Sequence, residues 1–142
     1  MSSFVNRTLI QTCREHHAVL RALIERFPTE ADFDAQAARE LLARLTTVLG
    51  RHLELEDARL YPALEKLPDP EVAEKSRRYR EEMGGLSAAF VRFGERWQAA
   101  ERIESDPAGF VSEWLGVRLA LERRMAAEDD DLYEEAERAL LF

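Results

Sequence analysis

The sequence predicts an all-α protein, an up-down-up-down four-helix bundle. Apolar residues recur every three or four positions over long stretches, which is the spacing of one helix face. Five prolines and six glycines in 142 residues leave those stretches largely uninterrupted. No segment alternates with period two between turn dipeptides, so strands are not expected.

In the first helix Ile10, Cys13, His17, Leu20, Ile24 and Phe27 share a face, and Pro28 stops it. A linker from Thr29 to Ala35 leads to the second helix, with Leu41, Leu45, Val48, His52 and Leu55 inward. Pro62 ends or kinks that helix, and Leu67-Pro68-Asp69-Pro70 makes the next turn. Asp69-Pro70 reads as an N-cap followed by proline at the first helical position. The third helix then carries Val72, Tyr79, Met83, Leu86, Phe90, Phe93 and Trp97 to about Arg102. Asp106-Pro107 repeats the start signal for the fourth, whose stripe is Phe110, Trp114, Val117, Leu121, Arg124, Glu128 and Leu132. Helices of this length are roughly 30–45 Å long at about 1.5 Å per residue.

Length points to one domain over residues 1–142. With 46% hydrophobic residues the chain can bury a core, which excludes wholesale disorder. The formal charge of −8 argues against a general binder of nucleic acid or anionic membrane, since both need excess positive charge. A single cysteine excludes an intrachain disulfide framework and a multi-cysteine zinc site. No apolar run approaches the ~18 residues of a membrane span. Asn6, Arg7 and Thr8 interrupt any leader-like run, so the expected setting is the cytoplasm.

An internal repeat divides the chain in half. HLELEDARLYPALE at 52–65 aligns with RMAAEDDDLYEEAE at 124–137, pairing Glu56, Asp57, Leu60 and Tyr61 with Glu128, Asp129, Leu132 and Tyr133. Each half ends in Glu-Asp-x-x-Leu-Tyr.

Metal-capable side chains interrupt the apolar stripes. His17 holds a core-phase position in the first helix, and His52 and Glu56, four apart, lie on one face of the second. Glu128 and Asp129 stand at the corresponding height in the fourth. Inward carboxylates are costly without a partner, and a cation would neutralise them. Imidazoles and carboxylates on facing helices are how bundles build iron, manganese or zinc sites.

The segments His17-x-x-Leu20-x-x-Leu23-Ile24 and His52-Leu53-x-x-Glu56-Asp57-x-x-Leu60-Tyr61-Pro62 resemble the hemerythrin-like, or HHE cation-binding, domain. The likeness spans nearly the whole chain. It implies a hemerythrin-like bundle and, in the family's usual form, a di-iron centre held by five histidines, a bridging glutamate and a bridging aspartate. Carried over, the first-helix histidine is His17, with His16 its rival, and the second helix supplies His52 and Glu56. The fourth helix retains the aspartate, Asp129, but has Arg124 where the family shows histidine. No histidine follows His52, and Met83, Gly84, Gly85 and Ser87 occupy the third-helix region.

The histidines of one iron are thus absent, which argues against a di-iron oxygen carrier. Two readings follow. His17, His52, Glu56 and Asp129 ligate a single Fe, Mn or Zn ion, with His16 and Glu128 as further candidates. Otherwise the core is metal-free and the Arg124 guanidinium pairs with Glu56 and Asp129, its charge replacing that of a metal. The functional expectation is a cation-binding or ligand-sensing domain retaining at most one metal. Its rivals are a metal-free bundle that dimerises or binds a protein partner, and a redox enzyme using one non-haem iron. No hydrolytic signature or phosphate loop is present.

Other features read as structural. Cys13 is expected to pack, and Asp130 and Asp131 to be solvated. Arg77, Arg78 and Arg80 are expected to pair with Glu74, Glu81 and Glu82. Trp97, Trp114 and Phe110 read as core caps. Gly84-Gly85 either permits close helix approach or marks a break.

Overall fold

The computed structural model describes residues 7–140; the part of the leader reading that rests on residues 1–6 lies outside them. Four rods form an all-α bundle. The first is α1 (Arg7–Ile24). The second runs from α2 (Ala35–Leu55) through a π-helical turn, π1 (Glu56–Leu60), into α3 (Tyr61–Glu65). The third is α4 (Pro70–Arg96), and a short α5 (Ala100–Ser105) follows it against α2. The fourth joins α6 (Pro107–Ala127), a second π turn, π2 (Glu128–Leu132), and α7 (Tyr133–Ala139). Among the described residues no helix is long and apolar enough to cross a membrane.

The helix starts follow from side-chain caps. Asp34 accepts from the Gln36 and Ala37 amides, Asp69 from Glu71 and Val72, and Asp106 from Gly109. Pro70 and Pro107 stand in the first turns, where a missing N–H costs nothing. The third rod departs from expectation at its end: α4 stops at Arg96, and α5 covers the stretch toward Arg102 as a separate turn. Gly84-Gly85 neither breaks α4 nor permits a close approach, since a Cβ at either meets nothing within 4 Å. Arg77 pairs with Glu74 as expected, whereas Arg80 reaches instead to Glu65 and ties α3 to α4.

The two π turns are the same event in both halves of the repeat. The Tyr61 amide bonds the Glu56 carbonyl and the Tyr133 amide the Glu128 carbonyl, five residues back in each case. On an α-helix of about 3.6 residues per turn, positions five apart point about 140° away from each other. The wider turn draws them together, and Glu56, Tyr61, Glu128 and Tyr133 are all buried. Pro62 suits the first π turn because its ring would clash with an α-helical carbonyl, yet Glu134 occupies the matching place in the second.

Apolar packing divides into two clusters. One gathers Leu20, Ile24, Phe27, Leu45, Leu49, Trp97, Phe110 and Trp114 at one end, with Phe27 stacked on Trp114 at 4.0 Å between ring centroids. The other gathers Ile10, Cys13, Leu60, Tyr61, Leu64, Leu132, Tyr133 and Ala136. Burial removes both clusters from water at about 25 cal/mol per Å² of apolar surface. In sequence the polar residues fall between them: His17 between Cys13 and Leu20, His52 and Glu56 between Leu49 and Leu60, and Glu128 between Met125 and Leu132.

Candidate metal centre

Three rods supply the buried polar layer. His17 and His52 are 0% and 2% exposed, and Glu56 and Glu128 are 0% and 1%. One donor atom from each of these four lies within 4.8 Å of the others. The Nε2 atoms of His17 and His52 are 3.1 Å apart, His17 Nε2 is 3.1 Å from Glu128 Oε1, and His52 Nε2 is 3.4 Å from Glu56 Oε1.

Both glutamates are clamped from the opposite half of the repeat. The Tyr61 hydroxyl donates to Glu128 Oε2 at 2.5 Å, and the Tyr133 hydroxyl donates to Glu56 Oε2 at 3.0 Å. Each tyrosine therefore holds one carboxylate oxygen and leaves the other turned toward the imidazoles. Burial, then the nearby Glu56 and Glu128 carboxyls, push the Cys13 thiol up to about 12. Cys13 is a packing residue in this environment.

The charges in the layer are divided unequally. Burial, and then the Glu128 charge beside it, hold the Glu56 carboxyl well above its ordinary range. Burial also opposes ionisation of Glu128, but the hydrogen bonds it accepts from His17 and Tyr61 outweigh it and keep that carboxyl low. His17 is raised although burial opposes its charge, because Asp129 and Glu128 both accept from it. For His52 the charges of Glu128 and Asp129 do not suffice; burial and the adjacent His17 lower it to about 4. Both His17 and Glu56 are thus shifted toward holding a proton when no cation is bound.

Asp129 does not join His17, His52 and Glu56 where the sequence reading expects it. Its Oδ1 lies 2.9 Å from His17 Nδ1, on the edge of the ring away from the cluster, and its Oδ2 accepts from Arg21 at 2.7 Å. Glu128 takes the inward place because it continues the stripe of Leu121, Met125 and Leu132. Asp129, one position on, turns toward α1.

Arg124 likewise stands elsewhere than the sequence predicts. It forms no ion pair with Glu56, Glu128 or Asp129 among the described residues. The guanidinium donates to the Tyr79 carbonyl of α4, lies over the Tyr79 ring at 4.6 Å from its centroid, and stands 3.8 Å from Glu82. Arg124 is buried on the inward stripe of α6 beside the cavity, yet its guanidinium turns onto α4 rather than across the core. Asp130 and Asp131 are exposed as expected, and Asp131 accepts from Lys75 and Tyr79. The sequence reading missed the two tyrosines as partners of the glutamates. Their signal was the five-residue Glu-to-Tyr spacing, repeated in both halves.

The donor set suits a transition metal. Ligand bonds of ~2.0–2.2 Å place neighbouring donors about 3 Å apart on an octahedral edge and about 3.4 Å apart on a tetrahedral one. The contacts of 3.1 and 3.4 Å fall in that range. Among the described residues, the buried Glu56 Oε1 has no hydrogen-bond partner. His17 already carries the outer carboxylate that orients metal-bound imidazoles. Beside the cluster is a cavity of about 10 Å³, walled mainly by Leu20, Ile24, Leu49, Met83, Leu121 and Met125. It has room for about one water-sized molecule, which argues against a bulky organic substrate at this site.

No curated protein and no solved structure matches the chain. The family described as the Hemerythrin HHE cation binding domain matches residues 8–136. A match over nearly the entire chain, carried on this bundle with its buried His/Glu cluster, makes the chain a member of that family.

Proposed function

We propose that this domain binds a single transition metal ion, iron, manganese or zinc, through His17, His52, Glu56 and Glu128, and acts as a cation sensor. The observation that carries this reading is Glu56 Oε1, a buried carboxyl oxygen with no hydrogen bond among the described residues, 3.4 Å from His52 Nε2. A bound ion supplies the positive charge that two buried glutamates otherwise draw from protons. Asp129 and Arg21 orient His17, while Tyr61 and Tyr133 orient the carboxylates. The four ligands come from α1, α2 with π1, and π2, so occupancy ties three rods together. That is the basis for sensing: an ion present at about 100 times its Kd stabilises the folded state by about 2.7 kcal/mol. A cytoplasmic setting fits the single free Cys13.

Metal analysis of protein purified without chelator tests this reading. About one equivalent of transition metal per chain is expected, lost in His52→Ala. No metal after loading with iron, manganese or zinc would overturn it.

A second reading, a metal-free module that dimerises or binds a protein partner, draws on α6. Leu115 and Leu119, one turn apart, are 42% and 48% exposed. Failure of every metal to bind would favour it.

A further inference from the structure

His16 is half-buried, and neither the apolar period nor the family pattern settles its place. Its Nδ1 lies 3.0 Å from Nδ1 of His52, with the ring centroids 5.2 Å apart and the planes at 76°. The other nitrogen of His52, Nε2, faces His17 Nε2 at 3.1 Å and Glu56 Oε1 at 3.4 Å. A neutral imidazole has one N–H donor and one bare acceptor, so the two edges of His52 take opposite roles. Which edge carries the proton decides whether the ring presents a lone pair to the cluster or a hydrogen.

The partners favour one assignment. His17 is anchored at Nδ1 by Asp129, so its Nε2 is the nitrogen offered to His52 and Glu128. Among the described residues no carboxylate bonds His52 Nδ1. Asp57, the counterpart of Asp129 in the repeat, is exposed. The neighbour that meets His52 Nδ1 is His16, and a ring nitrogen there can accept.

We propose that His16 is a positioning residue for His52: its Nδ1 accepts the Nδ1–H of His52 and fixes the tautomer whose Nε2 lone pair faces Glu56 and Glu128. The inference deepens the cation-site reading and its metal-binding consequence rests on it. His16 is thereby not a ligand, and the two imidazoles of the cluster are oriented by different chemistry. A carboxylate holds His17, and a second imidazole holds His52. Outer partners of this kind change metal affinity by about 10–100-fold when removed.

Two measurements test the role. In metal-free protein, long-range ¹H–¹⁵N NMR correlations read the tautomer of His52 directly. The proton is expected on Nδ1 in the wild type and redistributed toward Nε2 in His16→Ala. His16→Asn, whose Oδ1 stands where the Nδ1 stood, should restore the wild-type tautomer. In a Co(II) titration, His16→Ala should bind about 10–100-fold more weakly with an altered visible spectrum, and His16→Asn should recover most of the affinity. A wild-type His52 protonated at Nε2 overturns the proposal, as does an unchanged tautomer in His16→Ala. Wild-type protein that takes up no Co(II) defeats the cation reading, and the tautomer measurement still decides what His16 does.

Discussion

The segments from His52 to Glu65 and from Arg124 to Glu137 are one device built twice, and they differ where it matters for metal binding. Both open a π turn on a buried glutamate and close it on a buried tyrosine, and each tyrosine reaches across to the glutamate of the other segment. The first segment adds His52, four residues before Glu56, and points it into the cluster. The second has Arg124 in the matching place and points it along α4, onto the Tyr79 carbonyl. The aspartates differ as well: Asp57 faces solvent, while Asp129 secures His17. The backbone and the carboxylates thus keep a twofold plan, while the nitrogen donors all come from α1 and α2. Duplicating a scaffold does not duplicate a site; one substituted position per half is enough to make the chemistry one-sided.

The largest break in this comparison should come from the glutamates. In metal-free protein Glu128→Ala removes the hydrogen bonds this carboxylate accepts from both His17 and Tyr61, while Asp129 still holds His17 Nδ1, and should cost about 3–6 kcal/mol. Glu56, whose carboxyl burial and Glu128 push toward its neutral form, makes one hydrogen bond, from Tyr133, and Glu56→Ala should cost about 1–3 kcal/mol. Urea unfolding reads both, and equal losses would contradict the unequal charge division. The tyrosines should follow the same order at smaller size. Tyr61→Phe removes a bond to a charged carboxylate, about 1.5–3 kcal/mol, whereas Tyr133→Phe removes one to a neutral carboxyl, about 0.5–1.5 kcal/mol. Thermal denaturation of the two variants side by side checks the order.

Arg124→Met should have an effect as small as that of Tyr133→Phe, about 0.5–1.5 kcal/mol in the same assay, because it strands no carboxylate. Metal stoichiometry should not change. A loss of several kcal/mol would restore the view that the guanidinium neutralises the glutamates.

Much of this plan was legible in the residues. Asp69-Pro70 and Asp106-Pro107 are local signals whose physics lies within one turn, and both cap helices as read. His52 and Glu56, four apart on an apolar stripe, could hardly face anywhere but inward. Asp129 is instructive, because it was assigned through family resemblance while the apolar period ran through Leu121, Glu128 and Leu132. The period described this chain better at that point, since Glu128 is the residue that turns inward. The π turns were not read, although Glu and Tyr five apart in both halves cannot share one face of a regular α-helix. The direction of Arg124 is not readable from sequence at all: a long side chain, even on an inward stripe, chooses between neighbours that only tertiary packing defines.

The central claim, one ion in a one-sided cluster, is tested most directly by X-ray absorption at the metal edge of protein loaded to saturation. The account predicts a shell of nitrogen and oxygen donors with the outer scattering of about two imidazoles and no metal neighbour. A metal–metal vector at about 3.5–4 Å, the separation of two-metal sites, would contradict it.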